Sequence, residues 1–269
     1  MAKYYSIASG SKGNSGLLIT KDKKILIDMG VSLKYLKESL LKHKIGIQEI
    51  DFVLITHEHV DHVKGLAMLC KNTQIPIYMT KKSFDNIKEK DKLLKNIKFF
   101  IADEKFSIDG IFVETFKTPH DSADSVGFFI KGEDFAFGYA TDLGFMPKNI
   151  MEKIKTADMV VLEANYDVEM LKHSEYPLSV IKRIESTQGH LSNVDASVCV
   201  VDLIESGVSQ IILAHISENN NTPENVYSEI DKSIKLFDLD ASIGRNIHIA
   251  PVKNEYPIIN LKNGIEEYA

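Results

Sequence analysis

The sequence predicts an α/β protein, with β-sheets that carry helices on their outer sides. Three observations lead there. Short β-rich runs bounded by turn residues recur along the chain. Stretches with an apolar stripe of helical period fall between them. No linker, low-complexity tract, solenoid-length repeat or composition break divides the 269 residues, so the expectation is one domain over 1–269 with a large core.

The elements follow in order. "KYYSIAS" (3–9), "GLLIT" (16–20) and "KILID" (24–28) read as strands. "SLKYLKESLLKH" (32–43) places Leu33, Leu36, Leu40 and Leu41 on one helical stripe. "FVLIT" (52–56) is a strand, "VDHVKGLAMLCKN" (60–72) a helix, and "PIYM" (76–79) a strand. The Lys-rich run "KKSFDNIKEKDKLLKNIK" (81–98) reads as a solvated helical face. Then come the strands "IFVETF" (111–116), "SVGFFI" (125–130), "FAFGYAT" (135–141), "MVVLEA" (159–164) and "QIILAH" (210–215). Helices are expected at 147–157, 177–186, 193–207 and 222–237. Ser192 with Asp195 three residues on begins the third of these, and Gly207 ends it. Thr222 followed by Pro223 begins the fourth. The early and middle strands look partly antiparallel.

Composition narrows the functional classes. Net charge is −6, so the chain as a whole does not attract nucleic acid, and a polyanion would need a local patch or a metal site. No run approaches the ~18 apolar residues of a membrane helix, and "MAKYYSIASG" lacks a signal-peptide pattern. The expectation is a soluble cytoplasmic protein without a membrane partner; oligomeric state is not readable. Cys70 and Cys199 sit in helix-like apolar patterns and read as buried small side chains rather than ligands or a disulfide.

The strongest signal is positional. Polar groups recur where apolar strands run out. Asp28 ends "KILID", His57, His59, Asp61 and His62 follow "FVLIT", and His120 follows "IFVETFKTP". Asp142 follows "FAFGYAT", Glu163 and Asn165 close "MVVLEAN", and His215 ends "QIILAH". Six of the nine histidines belong to this set or to "GHLSN" (189–193); His43, His173 and His248 stay outside it. Strand ends along one sheet edge can converge although they are distant in sequence. Imidazole and carboxylate are the ligands of borderline divalent metals. In extended chain, residues two apart face the same way, so His57 and His59 can bind one ion, while Asp61 and His62 turn toward a second. His120 would complete the first set, His215 the second, and Asp142 could bridge. Asp28 reads as a group that caps the next turn and orients a ligand from behind.

"THEHVDH", His120, Asp142 and His215, in this order after strand ends, resemble the motif series of the metallo-β-lactamase fold. "SIASGSKGNSG" (6–16), "GHLSN" and "AHISENNNTPE" (214–224) are similar to its YycJ (WalJ) subgroup. The resemblance implies a four-layer αββα sandwich and 5′-to-3′ exonuclease action on DNA. It also implies two metal sites: His57, His59, His120 and Asp142 hold one ion, and Asp61, His62, Asp142 and His215 the other. Three departures stand out. The series lacks a thiolate ligand, there is no room after Asp142 for the inserted domain of the ribonuclease J type, and no long arm of the tRNA-processing type is evident.

Two such ions, zinc first, with manganese or iron as alternatives, would leave a positive centre inside an acidic protein. They would lower the pKa of a water between them, so that hydroxide can attack phosphorus. Asp61 and His190 are the expected catalytic residues. His190, in "TQGHLSN" before a capped helix, is expected to contact the phosphate and give the leaving oxygen a proton. Ser11, Asn14, Asn165 and His190 are the expected substrate contacts; the Gly-rich loop 8–16 could present N–H groups to phosphate but is not a P-loop. A small cyclic or nucleotide phosphodiesterase, a thioester or lactone hydrolase and a di-iron oxidoreductase are the competing readings.

Overall fold

Tyr5 and Ile7 on the first run, Leu17 on the second and Leu26 on the third are fully buried. These alternating apolar positions seed an antiparallel meander, to which the rest of the first sheet is added. A computed structural model describes residues 2–88, 90–93, 95–239, 246–252, 259–260 and 264–265. The chain begins β1 (Lys3–Ala8), β2 (Ser15–Ile19), β3 (Lys24–Ile27), α1 (Leu33–Lys42), β4 (Phe52–Leu54), α2 (Val60–Val63) and α3 (Leu66–Asn72). It continues β5 (Ile77–Thr80), α4 (Lys81–Asn86), β6 (Ile97–Phe100), β7 (Lys105–Ile108), β8 (Ile111–Lys117), β9 (Val126–Lys131) and β10 (Ala136–Ala140). Then follow α5 (Lys148–Ile154), β11 (Met159–Glu163), α6 (Val168–Lys172), α7 (Leu178–Ile184), α8 (Asn193–Glu205), β12 (Gln210–Ala214) and α9 (Pro223–Leu236). β13 (Ile247–Ile249), β14 (Ile259–Asn260) and β15 (Gly264–Ile265) close the series.

The chain divides into two units, residues 1–104, 122–126 and 251–269 in one and 105–121 and 127–250 in the other. The first unit holds the sheet β15-β14-β1-β2-β3-β4-β5-β6. Its β1–β3 are antiparallel, and β3–β6 are parallel. The parallel half needs crossovers, which the segments carrying α1 to α4 supply. Leu36 and Leu40 of α1 and Leu66 and Leu69 of α3 pack on Leu26, Val53 and Ile77 of the sheet. The second unit holds β13-β12-β11-β10-β9-β8-β7, antiparallel across the β7–β8 and β9–β10 pairs and parallel from β10 to β13. Ile150 and Ile154 of α5, Val200 and Leu203 of α8, and Val226 and Ile230 of α9 share a core with Val160, Leu162 and Leu213.

The expected caps are present: Ser192 accepts from Asp195 N–H, and Thr222 from Asn225 N–H with Pro223 in the first turn. Other expectations are corrected. The stretch 60–72 is two helices, because Gly65 breaks it. Its N–H is spent on the Met29 carbonyl, and Val31 O lies 2.0 Å from where a Cβ would stand. The run 81–98 is not one helical face. Thr80 caps α4, whose last residue is Asn86, and the run ends in β6 at the sheet edge; Glu89 and Leu94 lie outside the described residues. Thr80, Phe84, Leu93 and Phe100 anchor this region by burial, a pattern too sparse for one helical period. The short β6, β7 and β13 were not anticipated. β7 in particular has only Ile108 buried, so it lacks an apolar run. Among the described residues, no helix is long and apolar enough to cross a membrane.

Candidate metal centre

In the first unit, the donors stand where β4 gives way to α2. The chain leaves the sheet through Thr56, whose N–H and hydroxyl both donate to Asp28, at 2.8 and 2.9 Å. Asp28 itself follows β3 with φ 61°, a left-handed conformation that Asp tolerates better than most residues. That turn carries its buried carboxylate toward His62, whose Nδ1 lies 2.8 Å from Oδ2. Burial pushes the Asp28 carboxyl up, against the opposing pull of His62 and the Thr56 donors. Because the Thr56 hydroxyl proton goes to Asp28, its oxygen accepts from His57 Nδ1, 3.0 Å away. The rings of His57 and His59 have centroids 4.6 Å apart, and those of His57 and His62 4.2 Å, so the residues expected on one face do meet.

The Gly-rich loop braces this segment from behind. Asn14 N–H donates to the Asp61 carbonyl at 2.7 Å, Met29 N–H to the His62 carbonyl at 2.8 Å, and Gly30 N–H to the Asn14 carbonyl at 2.8 Å. A Cβ on Gly30 would lie 1.6 Å from Asp61 O, so only glycine permits this approach. The Asn14 amide nitrogen contacts Asp61 Oδ2 at 3.1 Å and His62 Nε2 at 3.0 Å. Asn14 Oδ1 takes Gly10 N–H, and Gly13 N–H goes to the Gly10 carbonyl. The N–H groups of Gly10, Gly13 and Asn14 are thus spent inside the protein, where they hold the loop against the His-rich segment. Asn14, expected at the substrate, is buried against the donors, whereas Ser11 is exposed.

In the second unit, Asp142 follows β10 with φ 58°, and His215 follows β12 with the same φ of 58°. Two left-handed residues at strand ends turn both side chains off the sheet. Ligand atoms of Asp142, Glu163, His190 and His215 all lie within 4.8 Å of one another. Glu163 organises them. Its Oε1 accepts from His215 Nδ1 at 2.7 Å and His190 Nδ1 at 2.8 Å, and its Oε2 from Leu143 N–H at 2.9 Å and Leu191 N–H at 3.2 Å. Burial opposes ionisation, but the charges and hydrogen bonds of His190 and His215 outweigh it, holding the Glu163 carboxyl well below the usual range. His120 donates Nδ1–H to the Gly189 carbonyl at 3.1 Å, and its Nε2 lies 3.8 Å from Asp142 Oδ1. Burial pushes its pKa down and favours the neutral ring. Asn165 does not face outward: its amide holds the His215 carbonyl at 2.7 Å.

One rule covers His57, His62, His120 and His215. Nδ1 of each is engaged by the protein, through Thr56, Asp28, Gly189 and Glu163 respectively. Such engagement of Nδ1 fixes the orientation of each ring, the arrangement found behind metal-bound imidazoles. The donor chemistry therefore fits divalent cations. Sequence reasoning assigned no role to Glu163, although a Glu ending the wholly buried β11 is a signal, since such a charge must have partners.

Mixed sheets with imidazole and carboxylate donors at their strand ends are the hallmarks of a metal-dependent hydrolase fold. The sequence family described as the beta-lactamase superfamily domain matches residues 23–216. The exodeoxyribonuclease YycJ of Bacillus anthracis is 34% identical over 83% of this chain and 86% of its own. The exodeoxyribonuclease WalJ of Streptococcus pneumoniae is 30% identical over 91% of this chain and 93% of its own. The chain therefore belongs to the β-lactamase superfamily, in its YycJ/WalJ-like subgroup. A solved metallo-β-lactamase-fold protein, YhfI from Bacillus subtilis, superposes with a TM-score of 0.69 at 17% identity, covering 94% of this chain and 98% of its own, and shows the same α/β sandwich class.

Proposed function

We propose that this protein is a metal-dependent phosphodiesterase that degrades DNA from the 5′ end. The observation that carries the reading is the set of imidazoles held by Nδ1, in a chain similar over most of its length to two exodeoxyribonucleases. On the family resemblance, His57, His59, His120 and Asp142 hold one divalent ion, and Asp61, His62, Asp142 and His215 the second. Zinc suits this N/O set first, with manganese or iron as alternatives. When bound, such ions lower the pKa of a shared water and stabilise charge on a phosphoryl oxygen.

The chain's own residues do the rest. Asp28 and Thr56 orient His62 and His57, and Asn14 steadies Asp61 and His62. Glu163 serves two histidines with one oxygen. It holds Nδ1 of His190 and so orients the ring, whose Nε2 is the proposed proton donor to the leaving oxygen. His215 shares the same oxygen through its own Nδ1. Asp61 is the acid expected to assist the attacking water, and Ser11, on the exposed loop, the expected contact to the substrate strand. The reading places the protein in the cytoplasm, where its substrate is found.

The test offers metal-loaded protein three substrates: 5′-phosphorylated labelled DNA, bis-p-nitrophenyl phosphate and a thioester. DNA degradation is expected. His190→Ala should lose at least about 10²-fold in turnover while keeping its metal. Hydrolysis of the thioester alone would overturn the assignment.

A further inference from the structure

A cavity in the first unit opens beside the His-rich segment and is lined mostly by residues outside the ligand set. Its volume is about 500 Å³, and His59 stands on its wall. That size suits a compact organic group rather than an ion. Val63, Leu66, Ile87 and Leu93 make its lining mainly aliphatic, while Lys64 and Lys88 border it. Glu58 also lines it, with Oε1 fixed by Ala123 N–H at 2.7 Å. An anion is repelled by the Glu58 side and by the aliphatic wall, and attracted only at the lysines. A matching ligand has a flat apolar body and a phosphate at its edge. A nucleotide has both. The cationic border also continues: Lys64 lines a second hollow of about 240 Å³ together with Lys12 and Ser32, and its ammonium donates to the Lys12 carbonyl.

We propose that this cavity receives the base of the nucleotide next to the scissile phosphate, with Lys64 and Lys88 on the phosphates of the same strand. The proposal rests on the DNA-hydrolase reading and adds a base subsite to it. The base stacks on the Ile87 and Leu93 wall, a contact that tolerates any sequence because every base has an apolar face. His59 on the cavity wall links the base subsite to the reacting phosphorus, so that a strand end without a base is poorly held.

The experiment measures kcat/KM of the metal-loaded protein on 5′-phosphorylated oligonucleotides whose terminal residue is either normal or abasic. The normal terminus should be preferred about tenfold. Ala67→Phe, which puts a ring into the cavity from its wall, should shrink that preference to within about twofold. Wild-type protein that degrades DNA without base preference overturns the cavity proposal alone, as does a preference that survives in folded Ala67→Phe. Wild-type protein inactive on every DNA overturns the functional reading and this subsite with it. Should Ala67→Phe not fold, 2-aminopurine decides on the wild type. Its fluorescence should change on binding when it is terminal and not when it is mid-strand; an equal change at both positions overturns the proposal.

Discussion

Glu163→Gln is the sharpest perturbation, because an amide cannot reproduce what this carboxylate does. Oε1 accepts two imidazole N–H bonds and Oε2 two backbone N–H bonds. A glutamine has one acceptor and one donor end. If its oxygen takes Leu143 and Leu191, its NH₂ faces Nδ1 of His190 and His215 and must donate to them. Both rings then carry their proton on Nε2, and His215 loses the lone pair a metal needs. If the amide is reversed, its NH₂ meets two backbone N–H groups. Each charge-assisted bond to the carboxylate contributes about 1.5–3 kcal/mol, and loss of a group behind a metal ligand typically lowers metal affinity about 10–100-fold. Chelator competition should show that loss in Glu163→Gln. At saturating metal, turnover on DNA should still fall about 10²-fold, because the carboxylate that orients the His190 ring is gone. In a His190→Ala background, Glu163→Gln should cost little further turnover but the same metal affinity, a non-additivity that a merely structural role would not produce. Unchanged metal affinity and turnover in Glu163→Gln would refute the reasoning.

Other perturbations follow from the same geometry. Asp28→Asn turns an acceptor of His62 into a donor; Asn tolerates the left-handed φ of 61°, so the fold should persist by far-UV circular dichroism while metal affinity drops about 10–100-fold. Gly30→Ala would press a Cβ against Asp61 O and Asn14 N; melting should show a loss of at least about 1–3 kcal/mol, and an unchanged Tm would contradict the close approach. Burial, with Asp202 and Asp195 nearby, pushes the Cys199 thiol up to about 12, and burial pushes Cys70 up to about 11. At pH 8, roughly one thiol in a thousand or fewer is ionised. Iodoacetamide should leave both unmodified in folded protein and label both in urea; rapid labelling of the native form would contradict the burial.

Much of this was legible because burial and chemistry repeat at short range. The runs Tyr5–Ile7, Leu17 and Leu26 announce strands, and Ser192 and Thr222 announce helix starts, since these signals are local. The HxHxDH spacing brings His57 and His59 together through extended chain alone. What was not legible depends on partners far along the sequence. Glu163 meets His190 and His215 across separations of 27 and 52 residues. The hydrogen bonds of Asn14 to Asp61 and of Asn165 to His215 likewise join residues about 50 positions apart, which no local pattern announces. The stretch 60–72 kept a continuous apolar period across Gly65, so only the contact with Met29 and Val31 reveals the break.

The central claim is that divalent ions held by these imidazoles and carboxylates drive hydrolysis of a phosphodiester strand. Metal-stripped protein titrated with zinc or manganese, with release of mononucleotides from 5′-phosphorylated DNA followed at each addition, tests it most directly. The account predicts no release without metal and a rate that rises to a plateau at two ions per chain. Full activity of the stripped protein, or intact DNA at every metal loading, would contradict it.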